Sequence, residues 1–166
     1  MSFDEQLFIL NKKKYLTGES RPKVDCILCE VCKNNPEVEN MLVWKNDMFA
    51  VSVNLYPYTS GHVLIFPLRH ITEPSQLTDN EVICMHKIQT FTIETLKKLY
   101  NPGGFNIGFN VGYCSGASIE HLHQHIVPRY KRELGFIDVI AGAKIFIEDP
   151  HESMKNLRKA FKDFKN

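Results

Sequence analysis

The stretch HLHQHIVPR, residues 121–129, sets three of the chain's seven histidines two positions apart. That interval constrains the backbone. On a helix, His121 and His125 would share a face and His123 would point elsewhere; on a strand, where side chains alternate, all three line one face. Leu122 and Ile126 then fall on the opposite face with Gln124, and Pro128 removes a ladder donor just past the third histidine. A strand is predicted. At roughly 3.3 Å per residue, His121 and His125 lie about 13 Å apart. Zinc–nitrogen bonds are only about 2.0–2.1 Å long, so one metal cannot hold all three imidazoles. The triplet must divide between roles.

The remaining pattern supplies a sheet for that strand and helices to cover it. MLVWKNDMFAVSVN reads as two strands joined by a tight hairpin at 45–47, and HVLIFP as a buried strand after the Pro- and Gly-containing NLYPYTSG. Thr78 followed by Glu81 is a capping-box spacing that opens a long helix ending near Tyr100. Within it Val82, Met85, Ile88, Phe91, Thr95/Leu96 and Leu99 form a stripe expected to pack on the core. NPGG stops that helix, and GFNIGFNVG reads as a Gly-rich strand. Residues 3–16 are expected to form a short peripheral helix, and GFIDVIAGAKIF to add strand structure. DPHESMKNLRKAFKDF is expected to be a terminal helix with Leu157, Phe161 and Phe164 facing inward. Hairpins and helices without repeated strand–helix crossovers predict an α+β fold with an antiparallel sheet.

At 166 residues this is one domain's worth of chain, long enough to bury a core. A formal net charge of +1 predicts no broad nucleic-acid or membrane surface, though it leaves room for a local cationic pocket. The opening SFDEQLFILNKKKYL does not read as an export signal, and no apolar stretch approaches the roughly 20 residues of a membrane span. A cytoplasmic location is expected. There the five cysteines, an odd number, are thiols or metal ligands sooner than disulfides. Cys26 and Cys29 form Cys-x-x-Cys, a two-ligand clamp that needs two more ligands to complete tetrahedral zinc. No second pair follows, so histidines such as His62, His70 or His121 are the available supply; ordinary buried thiols are the alternative. Cys29 and Cys32 repeat the same spacing, so Cys32 competes for the ligand position.

Taken together, these segments resemble the histidine triad (HIT) superfamily. SIEHLHQHIVPR resembles its His-φ-His-φ-His-φ-φ signature, φ being apolar, with Gln124 departing at one φ position. NLYPYTSGHVLIFPLRH and GFNIGFNVGYCSGAS resemble the family's upstream segment and its Gly-containing loop, and CILC its metal-binding version. The likeness is nearest the branch of diadenosine tetraphosphate phosphorylases and fragile-histidine-triad hydrolases. It covers about residues 24–165, which makes 24–166 the HIT domain and 1–23 an N-terminal helical extension.

The resemblance implies cleavage of a phosphoanhydride through a covalent nucleotidyl-histidine. Carried over, His123 is the nucleophile, and His125 contacts the phosphate as charge develops. His121 would join Cys26, Cys29 and His70 at a structural zinc. Ser118, Gly112 and Gly116 would cradle phosphate oxygens, with Asn110 at the phosphate or leaving group, Asn54 near the ribose and His62 beside the phosphate region. Arg129 and Lys131 are candidates for remote phosphates or plain surface charge. The expected substrate is an adenine dinucleoside polyphosphate and the expected assembly a homodimer, with neither nucleic acid nor membrane as partner. Phosphorolysis is favoured over hydrolysis. Phosphoramidate hydrolysis and a nucleotide-binding signalling module are the competing readings.

Overall fold

A computed structural model of the chain describes residues 22–131 and 148–164. The expected helix at 3–16 and strand structure in 135–146 lie outside these. α1, Ile27–Cys32, is followed by β1, Leu42–Lys45, β2, Phe49–Val53, and β3, Val63–Pro67. α2, Asp79–Tyr100, precedes β4, Gly104–Phe109, and β5, Gln124–Arg129; α3, Pro150–Ala160, comes last. The five strands form one sheet in the order β1-β2-β3-β5-β4, every pairing antiparallel. The α+β architecture is as predicted.

Local chemistry sets the boundaries. Asn46 makes the first hairpin, its side-chain oxygen accepting from the N–H groups of Met48 and Phe49 at 3.0 and 2.7 Å. Thr78 and Glu81 close the capping box in both directions, and Asn101 ends α2 in the left-handed conformation at φ 45°. The α2 stripe differs in part from the expected one. Ile88, Thr95 and Leu96 are buried as expected, but the other buried positions are Glu81, Cys84 and Thr92, whereas Val82 and Leu99 are 46% and 42% exposed. Ion-paired Glu81 and self-capped Thr92 take the inner face, because their polar atoms find partners there.

The sheet has an apolar cluster on each face. Val51, Val63, Ile65 and Ile126 pack with Ile88 and Leu96 of α2 and Leu157 of α3. On the other face Ala50, Leu64 and Phe66 pack under Leu28 of α1. Burial on both faces explains why every residue of β2 and β3 is buried. Leu157 and Phe161 face inward as predicted; Phe164 is partly buried, edge-on to Trp44 at 5.0 Å between ring centroids.

β5 begins at Gln124, so only His125 of the histidine triplet lies in the regular ladder. β3 pairs with β5 from Val63↔Ile126 to Ile65↔Gln124, and Pro67, at the end of β3, has no N–H to extend it. Upstream, Leu122 N–H donates to the Ile71 carbonyl at 2.6 Å, so the segment carrying His121 and His123 is held by the chain that follows β3.

Candidate active site and metal cluster

His121 and His123 each have one ring nitrogen facing a backbone carbonyl, which can only accept, so their tautomers follow directly; that of His125 follows through a second histidine. His123 Nδ1 lies 2.7 Å from the His121 carbonyl oxygen, which can only accept. The proton therefore sits on Nδ1, and Nε2 keeps its lone pair. His123 is 5% exposed and lines a pocket with His125, Asn54, Asn110, Gly116 and Ser118. Burial pushes its pKa below the ordinary imidazole value, partly opposed by the His121 carbonyl. The site thus presents a neutral, unprotonated nitrogen to the pocket.

His125 is set by a relay. Tyr58 N–H donates to His62 Nδ1 at 3.1 Å, which leaves the His62 proton on Nε2. That nitrogen lies 2.9 Å from His125 Nδ1 and donates to it. His125 then carries its proton on Nε2; Asn110 Nδ2, 3.4 Å away at the pocket, is itself a donor, so in this tautomer the two do not bond each other. The rings of His123 and His125 are 4.7 Å apart, so the lone pair and the N–H donor are neighbours. His62 is fully buried and meets the pocket through His125, not by lining it.

Asn54 lines the pocket and also closes its own turn, accepting from Tyr56 N–H at 3.0 Å. Gly116, Ala117, Ser118 and Ile119 also line the pocket, whereas Gly112 does not. Gly112 and Gly116 have φ of 78° and 83°, a backbone region that side chains bearing a Cβ rarely enter. Arg129 lies at the far end of β5, where Nη1 donates to Asn106 Oδ1 at 2.8 Å; neither Arg129 nor Lys131 lines the pocket. Tyr56 and Tyr58 are pocket residues that the sequence reading did not assign. The Tyr58 ring stacks on His125 at 6.0 Å and 21°. The signal was present in YPY, two aromatics flanking a proline four residues before Gly61.

His121 faces away from this pocket. Its Nε2 donates to the Pro67 carbonyl at 2.8 Å, which turns an unprotonated Nδ1 toward two sulfurs, Cys26 Sγ at 3.3 Å and Cys29 Sγ at 3.5 Å. His70 Nδ1 is 3.7 Å from Cys29 Sγ, and the ligand atoms of all four residues lie within 4.8 Å of one another. Tetrahedral zinc with S and N ligands would place S and N about 3.5 Å apart. The donor set fits. Burial, then the adjacent Cys26 sulfur, pushes the Cys29 thiol up to about 12, so a metal-binding thiolate there needs a cation beside it. Cys32 stands outside the four, packed against the smaller apolar cluster. His86 and His151 belong to neither group; His151 bonds Asp149 and Glu39 on the surface.

An α+β fold with an antiparallel sheet, and the histidines of a His-x-His-x-His motif divided between a pocket and a cysteine cluster, define a protein of the histidine-triad class. The HIT domain family model matches residues 35–132, and the chain belongs to that family. It is 37% identical over 108 residues to an AP-4-A phosphorylase of Mycobacterium tuberculosis, covering 64% of this chain and 55% of the relative. It is 28% identical over 103 residues to the asymmetrical bis(5'-nucleosyl)-tetraphosphatase of Schizosaccharomyces pombe, covering 62% of this chain and 57% of that one. The chain therefore spans little more than half the length of these relatives. A Zn-bound histidine triad family protein from Mycobacterium smegmatis superposes with a TM-score of 0.67 at 22% identity, over 83% of this chain and 94% of that structure. Among the described residues, no helix is long and apolar enough to cross a membrane.

Proposed function

We propose that the chain cleaves dinucleoside polyphosphates, diadenosine tetraphosphate above all, by nucleotidyl transfer to His123 with inorganic phosphate as the final acceptor. The observation that carries this reading is the His123 Nδ1–H bond to the His121 carbonyl, which leaves Nε2 as a lone pair in a pocket shared with a donor imidazole. The Nε2 lone pair attacks the α-phosphorus, and the bond to the bridging oxygen breaks with its electrons leaving on ATP. His125 Nε2–H stabilises charge on a nonbridging oxygen, aided by Asn110, Ser118 and the backbone N–H groups near Gly116. A phosphate oxygen then attacks the same phosphorus. The N–P bond breaks, its electrons return to Nε2, and ADP leaves. Asn54 holds the nucleoside end, and His62 orients His125.

The mycobacterial phosphorylase supports the acceptor by its name, and the fission-yeast tetraphosphatase favours water as the second reading. Incubation with diadenosine tetraphosphate and labelled phosphate distinguishes them. Phosphorolysis puts label into ADP beside unlabelled ATP; AMP production indifferent to millimolar phosphate assigns hydrolysis. His123→Ala is expected to lower turnover by orders of magnitude with nucleotide binding largely kept.

In this proposal Cys26, Cys29, His70 and His121 hold a structural zinc that takes no part in the chemical steps. The family resemblance and the exposed Ile107 on β4, an edge strand among the described residues, support a homodimer, which solution mass measures.

A further inference from the structure

The relay that sets His125 begins in a turn, from the Tyr58 N–H to the His62 ring four residues on. Gly61, within it, has φ 77°, and a Cβ there would meet the Tyr100 ring at 3.2 Å, so the turn passes close against the end of α2. That contact bears on one side only. It does not fix how far the turn stands from β5, the strand that carries His125. The 2.9 Å bond between His62 and His125 depends on that separation.

β5 presents a backbone acceptor to the turn. The β3–β5 ladder stops at Val63↔Ile126, and in the same register Pro128 would face Gly61. Pro128 has no N–H, so the ladder cannot be continued through it. The neighbouring Arg129 carbonyl accepts from Gly103 N–H at 2.7 Å, on the β4 side. Successive carbonyls of a strand point to opposite edges, so the Pro128 carbonyl points to the side of the turn. Thr59 meets it there. Its Oγ1–H donates to the Pro128 oxygen at 2.8 Å, and the residue is only 4% exposed. The Thr59 carbonyl in turn accepts from His62 N–H at 3.2 Å. One residue thus ties the His62 backbone to the strand of His125. Tyr130 Oη adds a second tie, donating to the Ser60 carbonyl at 3.0 Å.

We propose that Thr59 is a positioning residue for the nucleotidyl transfer: its hydroxyl holds the turn at the distance from β5 at which His62 Nε2–H reaches His125 Nδ1. Thr59 does not line the pocket and acts through His62. The inference rests on the reaction proposed above. Without the hydroxyl, the Pro128 carbonyl is left buried and unpaired, a penalty relieved when the turn moves off β5 and admits water. The His62–His125 bond then lengthens, and His125 gains access to its other tautomer.

Imidazole nitrogen chemical shifts read the tautomers without substrate. In the wild type His125 is expected to carry its proton on Nε2. Thr59→Val, which keeps the shape and loses the donor, is expected to mix the two tautomers, and Thr59→Ser to restore the wild-type pattern. With diadenosine tetraphosphate, Thr59→Val is expected to lower kcat about tenfold with KM changed less than about twofold, a smaller loss than for His62→Ala. In the His62→Ala background the same substitution should lower kcat no further, because the residue it would act through is gone. An additive loss there, or an equal loss in Thr59→Ser, would make Thr59 merely structural and overturn the proposal. Should Thr59→Val not fold, Thr59→Ala, which places no methyl against the carbonyl, carries the same comparisons. Failure of both to fold while Thr59→Ser folds would assign the hydroxyl to stability alone and overturn it as well. A wild type without turnover whose His125 tautomer still depends on Thr59 keeps the tie and removes the enzymatic reading. A tautomer unchanged in Thr59→Val removes the positioning role whatever the turnover.

Discussion

His62 reaches the chemistry without touching the pocket, and its influence is tautomeric. Because Tyr58 N–H occupies Nδ1, His62 can offer His125 only a donor, and His125 can then offer substrate only a donor. Removing His62 frees His125 to take the other tautomer, with a lone pair aimed at phosphate. His62→Ala is therefore expected to lower kcat by roughly 10²-fold with a smaller change in KM, as for loss of one oxyanion donor. An equal rise in KM with constant kcat would assign His62 to ground-state binding instead. The pH profile belongs to His123. Burial lowers its pKa, so the neutral imidazole, the form the proposed attack needs, persists as pH falls through the ordinary imidazole value of 6.5. The same shift is a stability statement: the fold excludes the protonated form, so this contribution is complete above 6.5 and lost as pH falls toward the lowered value. The acid limb of kcat/KM should lie below 6.5, and a limb above it would contradict the assigned environment.

At the scale of elements, the start of α2 is also a clamp on the segment that carries His70. Glu81 Oε1 and Oε2 accept from Arg69 Nε and Nη2 at 2.6 and 2.7 Å, while Oε2 also accepts from Thr78 N–H at 2.8 Å. Arg69 additionally donates to the Gln76 carbonyl. The Arg69 guanidinium, then the Thr78 donors, hold the Glu81 carboxyl down at about 2 against the opposing effect of burial. A depressed carboxyl stabilises the fold fully above its ordinary 4.5, and that contribution is lost as pH falls from 4.5 toward 2. Thr78→Ala is expected to destabilise the chain by about 1 kcal/mol in urea titrations at pH 7. Glu81→Gln should flatten the dependence of stability on pH between 4.5 and 2; a slope equal to wild type would remove the clamp from the account.

This clamp also marks what the chain made legible in advance. Thr78 and Glu81 are three residues apart, so a local rule found the helix start, and the hairpin at Asn46 was local in the same way. The buried stripe of α2 was not, because whether Glu81 or Val82 faces the core depends on Arg69 waiting there. The start of β5 depends on where β3 runs out of donors at Pro67. The Tyr58–His62–His125 relay joins residues 63 positions apart in its last link, and no periodicity encodes that. The family motifs named the participants; only the assembled sheet shows the order in which protons are held.

For the whole molecule, the two functions proposed for the histidines are the two ends of one short segment. His121 offers its Nδ1 to the cysteine cluster and its carbonyl to His123, so one residue belongs to both the proposed metal site and the hydrogen bond of the proposed nucleophile. The four proposed zinc ligands come from the N-cap and first turn of α1, the segment after β3 and the segment before β5. Zinc would tie three stretches far apart in sequence, at one corner of the sheet where the β3–β5 ladder has ended. Ordering those stretches without a cross-link is opposed by loop-closure entropy, so binding free energy becomes folding free energy. About one zinc per chain is expected by elemental analysis of untreated protein. Cys26→Ser and His121→Ala should each lose metal and lower the unfolding midpoint, whereas Cys32→Ser should retain metal because Cys32 stands outside the cluster. Metal lost from Cys32→Ser but kept in Cys29→Ser would exchange the two ligands. Metal-free protein of unchanged stability would leave the corner held by its hydrogen bonds alone, the Leu122 N–H bond to Ile71 and the His121 bond to Pro67.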